Sequence, residues 1–179
     1  MNRRTQNMIL AALMLALSWL MPFLALLNPA IASAISPMHI PVFLCGFLCD
    51  LPWAALVGFI APLLRSITSG MPALYPNALA MAFELATYGL VTSLLVRALP
   101  DRPAFAYAAL VGAMLAGRAV WGAASVVLYG LGGTPFTFQM FLTGAFVNAV
   151  WGIAFHIAVI PPVALALRRA GFARRTVRK

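Results

Sequence analysis

Charged side chains are scarce in this chain, and their scarcity limits the folds open to it. Only 12 Lys or Arg and 3 Asp or Glu occur among 179 residues, so that 8% of the chain is charged and 64% is apolar. A soluble domain has about a quarter of its residues charged. Because most charged groups of a folded protein lie on its water-facing surface, we expect this chain to fold in a lipid bilayer.

The length of the chain limits how often it can cross the membrane. A transmembrane helix takes about 20 residues, so six helices need about 120 and leave only short connections. We therefore predict an all-α membrane bundle that forms a single domain, residues 1–179. The predicted helices are 8–27, 39–50, 53–67, 77–97, 104–130 and 137–160, with a basic tail over 168–179.

The net charge of +9 is explained better by topology than by a nucleic-acid partner, and we predict no such partner. Ten cations flank apolar segments, as the positive-inside rule expects of cytoplasmic ends. These are Arg3, Arg4, Arg97, Arg102, Arg168, Arg169, Arg174, Arg175, Arg178 and Lys179. Both termini are therefore predicted to be cytoplasmic, and the tail is suited to contact anionic lipid headgroups.

The first apolar run has a second interpretation, as a signal peptide, because Ala30-Ile31-Ala32 resembles a cleavage site. The run over 8–27 is longer than the usual apolar region of about 7–15 residues, and Pro22 falls late within it. We prefer a first helix that is retained.

The second and third apolar segments are predicted to be shorter than a full span and interrupted by Pro41 and Pro62. Broken helices occur at membrane depth only where they are packed in protein or line a wet cavity. This half of the chain is therefore the candidate binding region.

Glu84 and Arg118 lie inside apolar spans, where a charge is costly enough to indicate a functional site. With a rise of about 1.5 Å per residue, Glu84 lies about 10 Å, Asn148 about 16 Å and Arg118 about 18 Å below the outer ends of their helices. Three polar groups on three helices are thus predicted to share the outer half of the membrane.

Helical spacing places further candidates on the same faces. These faces carry Asn77, Met81, Glu84 and Tyr88 on the fourth predicted helix, Arg118, Gly122, Ser125 and Tyr129 beside Trp121 on the next, and Phe141, Gly144, Asn148 and Trp151 on the last. Each face mixes aromatic with hydrogen-bonding groups, as small-molecule pockets do. Recurring glycines elsewhere, such as Gly58 and Gly89, predict close helix packing.

Two interpretations of Glu84 and Arg118 remain open: a structural ion pair or contacts to a ligand. Arg65, at the outer end of the third helix, would bring the site to +1, from two Arg and one Glu. A net positive site favours a carboxylate or phosphate ligand. His39 could orient that ligand, whereas His156 is interpreted as a packing residue.

Metal and enzyme chemistry find little support in the sequence. Cys45 and Cys49 are expected to be buried free thiols, and together with His39 and Asp50 they match no closed zinc spacing. There is no H-E-x-x-H, G-x-S-x-G or Walker A motif. We predict no catalytic residue, metal or cofactor, and expect any ATP hydrolysis to occur on another chain.

Four segments resemble the substrate-binding S components of energy-coupling factor (ECF) transporters: SPMHIP at 36–41, GFIAPLLRS at 58–66, GMP at 70–72 and AMAFELATYG at 80–89. S components are small six-helix vitamin-binding proteins that join a T component and two ATPase subunits. The resemblance implies a multi-pass protein of a prokaryotic cytoplasmic membrane, which captures a small, water-soluble and, from the charge argument, anionic vitamin or precursor from outside.

The resemblance also suggests roles for individual residues. Ala12-x-x-x-Ala16 resembles the small-residue motif by which S components contact the T component, and loops 28–38 and 67–76 match the family's outer gates. Asp50 stands where the family pattern leads us to expect glycine. The candidate ligand contacts are Arg65 and Arg118 for an anionic group, Glu84, Asn148, Asn77 and His39 for polar edges, and Trp121, Tyr75 and Tyr88 for a ring.

Two other functions remain as alternatives. One is an autonomous oligomeric transporter or channel without ATPase partners, although no internal repeat of the kind found in secondary transporters is evident. The other is a metal-uptake subunit that uses Met38, His39, Cys45 and Cys49.

Overall fold

The computed structural model of the protein describes residues 2–26 and 35–172. Every regular element in this part of the chain is helical, which confirms the predicted all-α class. The helices are α1 (Arg3–Leu20), α2 (His39–Leu48), α3 (Leu51–Ser69), α4 (Leu79–Ala98), α5 (Pro103–Leu131), α6 (Phe138–Leu142) and α7 (Val150–Arg169). A 3-10 segment, Met21–Leu26, follows α1, and π-helical turns at Leu74–Ala78 and Thr143–Val147 precede α4 and α7.

Within the described residues, five helices rather than six are long and apolar enough to cross a membrane. They are Arg3–Phe23, Leu51–Ser69, Leu74–Ala98, Pro103–Leu131 and Val150–Arg169. Helix α2 has 10 residues, about 15 Å at the helical rise, so it cannot span alone a hydrocarbon core of about 30 Å. All of its residues except Ile40 are buried, so this short helix is packed in protein, as the sequence predicts.

Helix α4 lies at the centre of the bundle and packs against α2, α3 and α5. Its crossing with α3 depends on glycine. A Cβ added at Gly58 would lie 2.1 Å from the carbonyl oxygen of Leu85, and one at Gly89 would lie 2.3 Å from that of Ala54. The predicted close packing at these glycines is confirmed, because no larger residue fits between the two backbones.

The first and third helices differ from their predicted bounds. Helix α1 begins at Arg3 rather than residue 8, because the Asn2 side chain accepts a hydrogen bond from the Arg4 N–H and a polar first turn precedes the apolar run. Helix α3 has 19 residues and continues through Pro62, so the prediction of a short, interrupted segment was wrong. Its stop is Gly70, whose φ of 69° is readily adopted only by glycine.

The predicted last helix, 137–160, is not continuous. It is divided into α6 and α7 by the π-helical turn and by Asn148 and Ala149. The Asn148 N–H bonds to the carbonyl oxygen of Thr143, five residues back, at 2.9 Å, which widens the helix. Helix α7 then runs past the predicted end, through Pro161 and Pro162, to Arg169, because membrane helices tolerate proline where neighbours compensate for the lost bond.

Two segments of the prediction fall partly outside the described residues. Arg168 and Arg169 of the predicted basic tail form the last turn of α7, and residues 173–179 lie outside the described part. In the predicted gate 28–38, only residues 35–38 are described.

Two acidic residues in the connections between helices, and the arginines that pair with them, lie at one end of the bundle. Asp50, in the α2–α3 turn, binds Arg3 of α1 and Arg97 of α4, each at 2.6 Å. Asp101, after α4, binds Arg168 of α7 at 3.4 Å. Arg3, Arg97 and Arg168, three of the cations that the positive-inside rule assigns to the cytoplasm, therefore lie at a single end.

The opposite end is held by side-chain hydrogen bonds. The Trp19 indole N–H donates to Thr68 Oγ1 at 2.8 Å and joins α1 to α3. The Tyr75 hydroxyl donates to the Leu128 carbonyl, and the Tyr129 hydroxyl donates to Asn77 Oδ1 at 2.6 Å. These last two bonds fasten the segment before α4 to the end of α5.

Candidate ligand-binding site

Glu84 of α4 and Arg118 of α5 form an ion pair inside the bundle. Arg118 Nη1 lies 3.0 Å from Glu84 Oε1, and the two side chains are 18% and 3% exposed. The Tyr88 hydroxyl donates to the same carboxylate oxygen at 2.5 Å. The predicted face shared by Glu84 and Tyr88 is confirmed, and the ion pair exists; whether these groups also contact a ligand remains a hypothesis.

Gly117 creates the space that positions Tyr88. A Cβ added at Gly117 would lie 2.2 Å from the Tyr88 ring. The ring therefore rests on the α5 backbone, one residue before Arg118. This contact fixes the phenol so that its hydroxyl reaches Glu84.

Rings from three helices surround this centre. Phe43 of α2 stacks on Tyr88 with 4.6 Å between ring centroids. His39, also of α2, lies 5.8 Å from Tyr88 and 5.9 Å from His156 of α7. The sequence interpretation of His156 as a packing residue agrees with this burial, but sequence did not predict that the ring lies beside His39.

The backbone before α2 is strained where it meets the two histidines. Ser36 has a φ of 49°, a left-handed conformation that costs a residue other than glycine about 1–3 kcal/mol and clusters at functional sites. Its carbonyl oxygen lies 3.1 Å from His39 Nδ1. Because a carbonyl oxygen only accepts hydrogen bonds, Nδ1 carries the hydrogen, and a neutral ring then presents the lone pair of its Nε2.

Arg65 supplies charge without a counter-ion. It is half-buried on α3, and in the described part of the chain no acidic side chain forms an ion pair with it. The positive charges of Arg65 and Arg118 both lie close enough to the His39 ring to act on it electrostatically. A site of net charge +1, made of two arginines and one glutamate, stays a prediction.

The other predicted site residues lie in the walls near the second end of the bundle. Tyr75 and Asn77 are engaged with the end of α5. Trp121 lies in an aromatic cluster, 5.6 Å from Phe136 and 6.1 Å from Phe141. Asn148 is exposed in the helix break and lines an open groove with Thr137, Gln139, Met140, Thr143 and Gly144.

The two cysteines are buried and free, as predicted. Over residues 2–26 and 35–172, no three His, Cys, Asp or Glu side chains come together as metal ligands. This part of the structure therefore gives no support to the metal-uptake alternative.

An apolar helical bundle with charged and aromatic side chains at its centre is the architecture of a membrane protein that binds a polar small molecule. The chain belongs to the family of substrate-specific components of ECF transporters, whose sequence model matches residues 6–164. The resemblance seen in the sequence is thereby confirmed, and the protein is a membrane transport subunit rather than an enzyme. No curated protein and no solved structure matches the chain.

Proposed function

We propose that this chain captures a small, water-soluble, anionic vitamin or precursor on the outer side of a prokaryotic cytoplasmic membrane and delivers it for ATP-driven uptake. The observation that carries the proposal is Arg65, a half-buried cation that forms no ion pair with an acidic side chain in the described chain. An uncompensated guanidinium binds a carboxylate or phosphate through charge-assisted hydrogen bonds.

The ion pair fixes the position of a second guanidinium, that of Arg118, in the proposed site. Glu84 and Tyr88 hold Arg118 in place, so the Arg118 guanidinium adds positive potential without being free to move away. His39 and the Tyr88 ring offer polar and aromatic contacts to the body of the ligand. Tyr75, Asn77, Trp121 and Asn148 would enclose its outer end.

Uptake would require partner chains, which the proposal takes to be a T component and two ATPase subunits. Ala12 and Ala16 are exposed on one face of α1, where small side chains allow a partner helix to approach closely. With the end that carries Asp50 and Arg168 in the cytoplasm, the ligand centre would open outward, and the whole subunit would reorient to release its ligand inside.

Binding of matched acid and amide probes tests the anion site. We suggest nicotinate with nicotinamide, pantothenate with pantothenamide, and biotin with biotinamide, titrated against the purified protein in detergent. One acid should bind, and its uncharged partner should bind at least about tenfold more weakly, the effect of losing one charge-assisted bond. Arg65→Gln should remove this preference, whereas Arg102→Gln, at the other end of the bundle, should keep it.

Two results would contradict the proposal. In one, an acid and its amide bind equally well. In the other, the preference for the acid survives Arg65→Gln. If the protein binds none of these probes and native mass spectrometry finds no small molecule retained from its own host, the proposed capture function also fails.

A further inference from the structure

His156 carries a buried polar atom that has no partner in the described structure. The residue is 4% exposed near the middle of α7, and its Nε2 forms no hydrogen bond with the described residues. The carbonyl groups of Ile35 and Ser36 lie near the ring, and neither forms a hydrogen bond with Nε2 by distance and angle. Leaving such an atom unpaired costs about 1–3 kcal/mol, which a hydrogen bond with a bound molecule would relieve.

The surroundings of His156 distinguish it from Thr92, another residue with a buried unpaired atom. The hydroxyl of Thr92 is also buried and unpaired, but Thr92 packs against Gly46, where an added Cβ would lie 2.7 Å from it. His156 instead lies 5.9 Å from His39 and 6.0 Å from Phe43, between ring centroids. The positive charge of Arg118 lies close enough to the His156 ring to act on it electrostatically.

We infer that His156 is a ligand-binding residue and that it contacts an uncharged hydrogen-bonding group of the ligand, such as a hydroxyl, an amide or a ring nitrogen. The inference rests on the proposed function and deepens it. The ligand then has two ends: an anionic group held by Arg65, and a neutral polar group that reaches His156.

The charge near His156 indicates that this second group is neutral. Arg118, whose charge acts on the His156 ring, would repel a cationic group. The anionic group of the proposed ligand is bound by Arg65. The part of the ligand that reaches this imidazole is therefore an uncharged polar group.

Two substitutions separate a binding role from a structural one. His156→Leu removes the unpaired nitrogen and replaces the ring with an apolar side chain. The melting temperature of the ligand-free protein should therefore not fall by more than a few degrees. Its affinity for the acid that the wild type binds should fall at least tenfold. Thr92→Val removes a buried unpaired hydroxyl elsewhere and should leave that affinity unchanged.

The acid and amide probes then locate the contact. If His156 binds the neutral end, the loss caused by His156→Leu and the loss caused by replacing the acid with its amide should be additive, because separate contacts add. A ¹⁵N spectrum of histidine-labelled wild type should also show the His156 Nε2 resonance shift when the acid is added. The spectrum needs no substitution, so it decides the question even if the variant misfolds.

The outcomes are separable from those of the proposed function. Wild-type affinity in His156→Leu, or an unshifted Nε2 resonance in acid-bound wild type, overturns the inference alone. Non-additive losses overturn the neutral-end assignment, because they place His156 on the anionic group. A wild type that binds neither acids nor amides and retains no small molecule overturns the proposed function and, with it, this inference.

Discussion

Asn7 and Asp50 are joined by two hydrogen bonds that run in opposite directions. The Asn7 side-chain amide donates to Asp50 Oδ2 at 2.7 Å, and the Asp50 backbone N–H donates to Asn7 Oδ1 at 3.0 Å. Arg3 and Arg97 bind the same carboxylate. Asp50, where glycine was expected, therefore links α1, the α2–α3 turn and α4 at one end of the bundle.

Replacement of Asp50 should destabilise the protein. Asp50→Ala removes every bond made by the Asp50 carboxylate and should cost about 1–3 kcal/mol, because exposed ion pairs contribute little individually and networks contribute more. This corresponds to a melting temperature lower by about 2–4 °C per kcal/mol, measured in detergent. Arg102→Ala, at an exposed side chain of the same end, is the comparison, and an equal or larger loss there would contradict the assignment of this stability to the Asp50 cluster.

The Asp50 cluster should also make stability depend on pH. Partial burial disfavours the Asp50 carboxylate, but the hydrogen bond from Arg3 and the charges of Arg97 and Arg3 outweigh it and lower its pKa. A folded pKa below the unfolded value of about 4 means that the stabilisation is complete above pH 4 and is lost as pH falls through the folded pKa. The difference in melting temperature between wild type and Asp50→Asn should therefore shrink below about pH 4.

Breaking the Glu84–Arg118 pair from one side should be more harmful than removing both charges. Glu84→Gln leaves the largely buried guanidinium of Arg118 without its counter-ion, which typically costs about 3–5 kcal/mol. Glu84→Gln combined with Arg118→Gln should recover part of this loss in the melting temperature. Purely additive effects of the two substitutions would show that the pair does not couple α4 to α5.

Gly117→Ala should disturb the site through Tyr88. The added methyl group would lie 2.2 Å from the Tyr88 ring, so the ring must shift and its hydroxyl should lose Glu84. We expect lower thermal stability and weaker binding of the acid probe. Gly130→Ala in the same helix meets nothing within 4 Å and should be neutral or stabilising by up to about 1 kcal/mol. Normal binding by Gly117→Ala would show that Tyr88 need not be fixed.

Ala12→Trp tests the partner surface. Ala12 is exposed on α1, so the substitution should leave melting and probe binding unchanged while preventing a partner helix from approaching. Loss of co-purifying ATPase and T subunits, together with loss of uptake, is the expected result. Leu94→Trp, at a side chain 49% exposed on α4, is the control. Normal uptake by Ala12→Trp would favour an autonomous transporter.

Local sequence was sufficient to predict that the chain forms apolar helices and where most of them lie, but not the full length of α3 or the break between α6 and α7. Scarce charge determined the membrane environment, and hydropathy located all the long helices. Spacing placed Glu84 and Tyr88 on one face, and the positions of the arginines predicted that the cationic ends would meet. These properties can be predicted from the sequence because they depend on residues close together in the chain and on the solvent around it.

The tertiary structure decided which distant residues meet. The contacts of Asp50 with Asn7 and Arg97, and of His39 with His156, depend on how the helices rotate and cross, and glycines such as Gly58 and Gly89 allow those crossings. The same is true of Tyr75 and Asn77, which the bundle fastens to the end of α5. Hydropathy is a local quantity in one dimension, whereas these contacts arise from interhelical packing in three, so only the folded bundle could bring them together.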